Sequence, residues 1–111
     1  MDDLTLNRRG KDRFRADLRV QYFIKNQSMR YQDCGVIDIS RTGIALEFPA
    51  NEELNPDADI FLEITVPGSF DQLTVPGIIK RIQRGGGQNI GGVKFIEILD
   101  PMTFSKLIET S

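Results

Sequence analysis

The chain has no histidine and a single cysteine, Cys34, among its 111 residues. Without imidazole there can be no histidine-based catalytic triad and no histidine-ligated metal. One thiol excludes an internal disulfide, which fits a reducing cytoplasm. With no imidazole to activate it, that thiol is also a poor nucleophile. Cys34 falls in a strand-like run and reads as a small core or half-buried residue. Long apolar runs are missing too, so nothing in the sequence spans a membrane as a helix. The first residues, Met1-Asp2-Asp3-Leu4-Thr5, are acidic and lack the apolar centre of a secretory signal. Carboxylates are numerous, but no pair stands in a recognisable acid/base arrangement. The expectation is a cytoplasmic domain that is not an enzyme, with no metal and no cofactor.

What is present suits one domain with a single core. Hydrophobic residues make up 40% and charged residues 27%, both ordinary for a globular protein. The net charge of −2 argues against a nucleic-acid polymer as partner, since that binding rests on extended phosphate neutralisation. The charge is unevenly placed. Residues 8–19 hold six cations (Arg8, Arg9, Lys11, Arg13, Arg15 and Arg19) against Asp12 and Asp17, a local surplus of four. A small anionic ligand suits such a patch better than a polymer does.

Residues 1–12 are polar without apolar period and read as a flexible basic arm. From Phe14 a period of two begins, with Phe14, Ala16, Leu18, Val20, Tyr22 and Ile24 on one face, the pattern of a half-buried antiparallel strand. Further strands are expected over Tyr31 to Ile39, Ile44 to Phe48, Ile60 to Val66, Leu73 to Gln83 and Ile90 to Ile98. Pro76-Gly77 inside the fifth suggests a bulge or an edge position, because proline cannot donate to a ladder. Asp100-Pro101 reads as an N-cap followed by the first helical residue. Phe104, Leu107 and Ile108 then give one apolar stripe of a short helix over about residues 100–110. Six strands joined by short turns, plus one terminal helix, point to an all-β antiparallel barrel or tightly curved sheet over residues 13–111.

Two pieces of this pattern carry chemistry. Asp38-Ile39-Ser40-Arg41-Thr42-Gly43 is a tight turn between strands, since Asp and Ser bond nearby backbone and Gly tolerates positive φ. Arg9 and Arg13 lie before the strand periodicity and have no packing reason to form a pair. Arg15 and Arg19 have the same spacing, but they alternate onto the polar face of the first strand and read as solvated. Arginine's planar fork bonds phosphate or the O6/N7 edge of guanine in bidentate fashion, and its flat face stacks on a base. Arg84-Gly85-Gly86-Gly87-Gln88-Asn89 looks superficially like a phosphate loop. It leads into a strand rather than a helix and reads as a hairpin.

Arg9-Gly10-Lys11-Asp12-Arg13, followed by Asp38-Ile39-Ser40-Arg41-Thr42-Gly43, resembles the PilZ domain, whose signature is Arg-x-x-x-Arg and then Asp/Asn-x-Ser-x-x-Gly. Gly92-Val93-Lys94-Phe95 is similar to a run in the last long strand of that family. The resemblance implies a six-stranded PilZ-type β-barrel with a short C-terminal helix that binds the bacterial second messenger cyclic di-GMP. Carried over by position, Arg9 and Arg13 would stack on guanine and bond its Hoogsteen edge and the phosphates. Asp38 and Ser40 would meet the guanine edge, and Gly43 would keep the turn open for the base. Arg8, just before the motif, resembles members that hold two intercalated ligand molecules rather than one. Arg41 would either add a phosphate contact or remain an exposed turn residue. The implied protein is a single-domain receptor that orders its arm on binding and signals to a protein effector. Two other readings stay open: a PilZ-like protein–protein adaptor that binds no nucleotide, and a small barrel for single-stranded nucleic acid.

Overall fold

Apolar side chains at every second position can be buried together only if the backbone is extended and one face turns inward. The computed structural model, which describes residues 13–108, uses that solution six times. Strands β1 (Arg19–Ile24), β2 (Gln32–Ile39), β3 (Gly43–Glu47), β4 (Asp59–Thr65), β5 (Gln72–Gly85) and β6 (Gln88–Phe95) precede one helix, α1 (Pro101–Ile108). They close into an antiparallel barrel in the order β1-β2-β3-β6-β5-β4, and β4 pairs back onto β1. The interior is filled by the inward set, with Tyr22, Ile44, Leu46, Leu62 and Ile79 wholly shielded from solvent. Of the barrel and the tightly curved sheet that the periodicity allows, it is the six-stranded barrel, with the expected terminal helix. No helix among the described residues is long and apolar enough to cross a membrane.

The barrel ends are closed differently. At the end where β1 leaves and β2 enters, Asn89 is 2% exposed and its Nδ2 donates to the carbonyls of Pro49 (3.0 Å) and Glu52 (2.7 Å). The Tyr22 hydroxyl donates to the Glu52 carboxylate at the same place. Burial first, and that hydrogen bond second, push the phenol far above its ordinary range. At the other end α1 lies over the core with Phe104 and Leu107 buried, and the Phe104 ring meets Phe14 edge-on at 5.6 Å.

Four details differ from the sequence reading. The first ladder begins at Arg19 rather than Phe14; upstream, Phe14 makes only an isolated bridge to Ile39, with both backbone hydrogen bonds at 2.8 Å. A bulge in β2 between Val36 and Asp38 breaks the register there and opens the ladder. In β5 the bulge lies between Ile79 and Arg81 instead of at Pro76. Pro76 pairs with Phe61, and its carbonyl accepts from the Ile96 amide at 3.0 Å. Its donorless nitrogen therefore faces the same side, just past the end of β6, which is the edge-like position open to proline. The sixth strand stops at Phe95, leaving Ile96 and Ile98 more than half exposed. Gly86 and Gly87 form the expected hairpin turn, with φ of 59° and 80°, the type I′ geometry that favours glycine.

Candidate functional site

Asp38 is the penultimate residue of β2, and Ser40-Arg41-Thr42 carries the chain into β3. The turn is organised by Ser40, which is 4% exposed. Its amide donates to the Gly43 carbonyl at 2.8 Å, and its Oγ accepts from the amides of Thr42 and Gly43, both at 3.2 Å. A serine hydroxyl used this way builds a turn from within. Ser40 therefore faces the backbone of its own loop.

Gly43 is needed for closeness rather than for an unusual φ. It is not among the left-handed glycines of the described residues, and it pairs with Lys94 at the start of β3. A Cβ there would lie 2.4 Å from the Val93 carbonyl oxygen. Arg41 is not the freely exposed turn residue that one of its two expectations describes. It is half-buried, and its Nε donates to the Leu99 carbonyl at 2.8 Å while the Leu99 amide donates back to the Arg41 carbonyl at 2.9 Å. Together with the Phe95 amide on the Thr42 carbonyl at 2.9 Å, these bonds tie the turn to residues 95–99.

Arg13 reaches the turn from the N-terminal side. The Phe14–Ile39 bridge lays the chain along β2, and Arg13 donates from Nε (2.8 Å) and a terminal nitrogen (2.6 Å) to one oxygen of Asp38. Both side chains keep about a third of their surface in solvent, at 38% and 31%. Arg15 and Arg19 are exposed and stand outside the cleft that Arg13 enters. Arg8 and Arg9, with the rest of residues 1–12, lie outside the described residues.

The Arg13–Asp38 pair borders a cleft of about 530 Å³ on the outside of the barrel. Register explains its shape. Asp38 pairs with Ala45, Ala45 with Gly92 and Gly92 with Arg81, so four strands contribute one transverse row. Neighbours in such a row point to the same face. Its two middle members carry a methyl group and a hydrogen, which makes a shallow shelf with Asp38 at one end and Arg81 at the other. Lys94 stands in the next row between Gly43 and Ile78. Lys80, at the β5 bulge, also lines the cleft and pairs with Asp57 at 2.9 Å. Four cations and one carboxylate thus line it, on a chain with net charge −2.

Sequence reasoning missed Lys80, Arg81 and Lys94 as members of this site. Two of them sit on a strand whose bulge cannot be placed from composition. One signal exists: inward Ile79 and Ile82 are spaced by three rather than two, the mark of an extra residue.

No curated protein matches the sequence. Among solved structures the fold is similar to that of the Bacillus subtilis inhibitor of motility MotI/DgrA, with a TM-score of 0.66 at 18% identity. The likeness takes in 86% of this chain and 46% of the other, so the chain corresponds to less than half of that protein, and what is shared is the fold. The PilZ domain family model matches residues 7–109, nearly the whole chain. On that match, over a barrel whose Asp38–Gly43 turn and Arg13 meet at one cleft, the chain belongs to the PilZ domain family.

Proposed function

We propose that the cleft binds cyclic di-GMP and that the protein is a cytoplasmic receptor and adaptor rather than an enzyme. The observation that carries this reading is the meeting of Arg13, the end of the Arg-x-x-x-Arg motif, with Asp38 at the mouth of a cation-rich cleft floored by Ala45 and Gly92. A shelf that carries only a methyl group suits a planar base, and the charge surplus suits phosphates. Asp38 accepts from the N–H edge of guanine, while Arg9 and Arg13 stack on the base and bond its O6/N7 edge. Ser40 and Gly43 serve by holding the turn in shape.

The ion pair already present is no obstacle. Between half-exposed groups it is worth about 0–1 kcal/mol, whereas well-formed charge-assisted hydrogen bonds contribute about 1.5–3 kcal/mol each. Two or three of these, with stacking, approach the roughly −8 kcal/mol of micromolar binding after the arm is ordered. Arg8 supports a second, intercalated ligand molecule. Output to a protein effector is supported by the bonds from Arg41 and Thr42 to residues 95–99, which carry the exposed Ile96 and Ile98.

Calorimetry with cyclic di-GMP tests the reading. Micromolar or tighter binding by the wild type, lost in Arg13→Ala and Arg9→Ala, is the expected result, and the ligand-to-protein ratio reports one molecule or two. A wild type that stays silent at millimolar nucleotide would leave the nucleotide-free adaptor.

A further inference from the structure

The cleft has two charged ends, and the motif residues account for only one. Arg81 ends the transverse row opposite Asp38, three strand spacings or about 14 Å away between backbones. Its position is fixed by two local features. The β5 bulge inserts Lys80 between Ile79 and Arg81, which turns Arg81 to the outer face while Ile79 and Ile82 stay inward. Gly92 beside it has no side chain, and a Cβ there would come within 3.4 Å of the Arg81 Cβ, so the arginine stem runs along the bare shelf. Lys94 projects from the adjacent row of β6 into the same cleft. Lys80 is partly neutralised by Asp57, which leaves Arg81 and Lys94 as the principal positive charge at this end.

We infer that Arg81 and Lys94 form a second anion-binding pole that takes a phosphodiester group of the ligand whose guanine edge is read at Asp38. The inference rests on the proposed nucleotide function and adds to it a division of labour. The Asp38 end recognises a base, and the Arg81 end recognises charge. Arg81 gives the bidentate fork suited to phosphate oxygens, and Lys94 adds a point charge. Both are exposed strand residues, so replacing them leaves the core intact.

The test is titration of cyclic di-GMP into wild type, Arg81→Ala, Arg81→Lys, Lys94→Ala and, as an equal-charge control away from the cleft, Arg30→Ala, at low and high salt. Expected are a rise in Kd of about ten- to a hundredfold for Arg81→Ala, a smaller rise for Lys94→Ala, and partial recovery in Arg81→Lys. Arg30→Ala stays within about twofold of wild type, and the fall in affinity with salt is shallower in Arg81→Ala than in wild type. Wild-type binding with Arg81→Ala and Lys94→Ala both within about twofold would overturn the second pole and leave the nucleotide reading standing. Equal losses in Arg81→Ala and Arg30→Ala would overturn it too, by showing only a general charge effect. Absence of wild-type binding would overturn both.

Discussion

A methyl group on Gly43 would press on the Val93 carbonyl, which is backbone and cannot swing aside. Gly43→Ala should therefore destabilise the barrel by about 1–3 kcal/mol, the usual range for overpacking. Ser40→Ala leaves the Thr42 and Gly43 amides without their acceptor and should cost a similar amount, about 1–3 kcal/mol. Asp38→Ala removes only a half-exposed ion pair, so its cost in stability should stay within about 1 kcal/mol while the proposed cyclic di-GMP binding should be lost. Urea melts beside calorimetry separate the two kinds of residue, although all three belong to one sequence motif. Cys34 can be checked on its own. Burial pushes its thiol up to about 12, so at neutral pH it stays protonated and should resist alkylation until the chain is unfolded. The turn itself was readable from Asp, Ser and Gly. The serine's bonds to the loop's own amides are equally local; what could not be read was that the glycine is spent on its neighbour's backbone, since that depends on a strand some 50 residues away in sequence.

Among the elements, α1 has the most explicit start signal. Asp100 accepts from the Thr103 amide at 2.8 Å and from its hydroxyl at 2.9 Å. Those two bonds, in that order, hold the Asp100 carboxyl below its ordinary range. A lowered folded value means that the cap's contribution is complete above the unfolded pKa, near pH 4, and drains away as pH falls through the lower folded value. Amide exchange at Thr103 and Phe104 should accelerate across that acid window, and Asp100→Asn, an equally good cap, should abolish the pH dependence. This helix was fully readable because its cap and apolar stripe are local. The strands were readable in number and facing but less so at their limits. Phe14 to Leu18 keep the alternation without a ladder, and Ile96 and Ile98 extend the apolar pattern beyond the last partner. Periodicity reports which face a side chain prefers, whereas a strand's end is set by where its neighbour stops.

For the molecule as a whole, the cleft, the turn and the C-terminal segment are mechanically joined. The turn is bonded to residues 95–99, and Phe14, next to Arg13, packs on Phe104 of α1. A ligand gripping Arg13 and Asp38 should slow amide exchange at Thr42, Gly43, Phe95 and Leu99 while leaving Asn89 at the far end unchanged. At a hundred times Kd it should add about 2.7 kcal/mol to global stability. Phe14→Ala removes the edge-on ring contact, worth about 0.5–1.5 kcal/mol beyond area burial, and should uncouple protection of α1 from ligand. The site was half readable at this scale. Arg13 and the Asp38 turn stand in the sequence as motif, but Arg81 and Lys94 join them only through barrel register.

The two bulges have a consequence for how this family domain can vary in length. Each absorbs one extra residue, so that Asp38 and Arg81 stay on the outer surface opposite Ala45 and Gly92 although plain alternation from Val36 and Ile79 would turn them inward. Lys80 is exposed, and most replacements there should be silent for folding. Deleting it would remove the bulge and leave Ile79 opposite Val93, Arg81 opposite Gly92 on the outer face and Ile82 opposite Gly91, the pairs already present. A library scan should thus find position 80 permissive to substitution and to deletion, whereas deleting the paired Ile79 or Ile82 should unfold the barrel. The barrel neither reads that residue nor counts it.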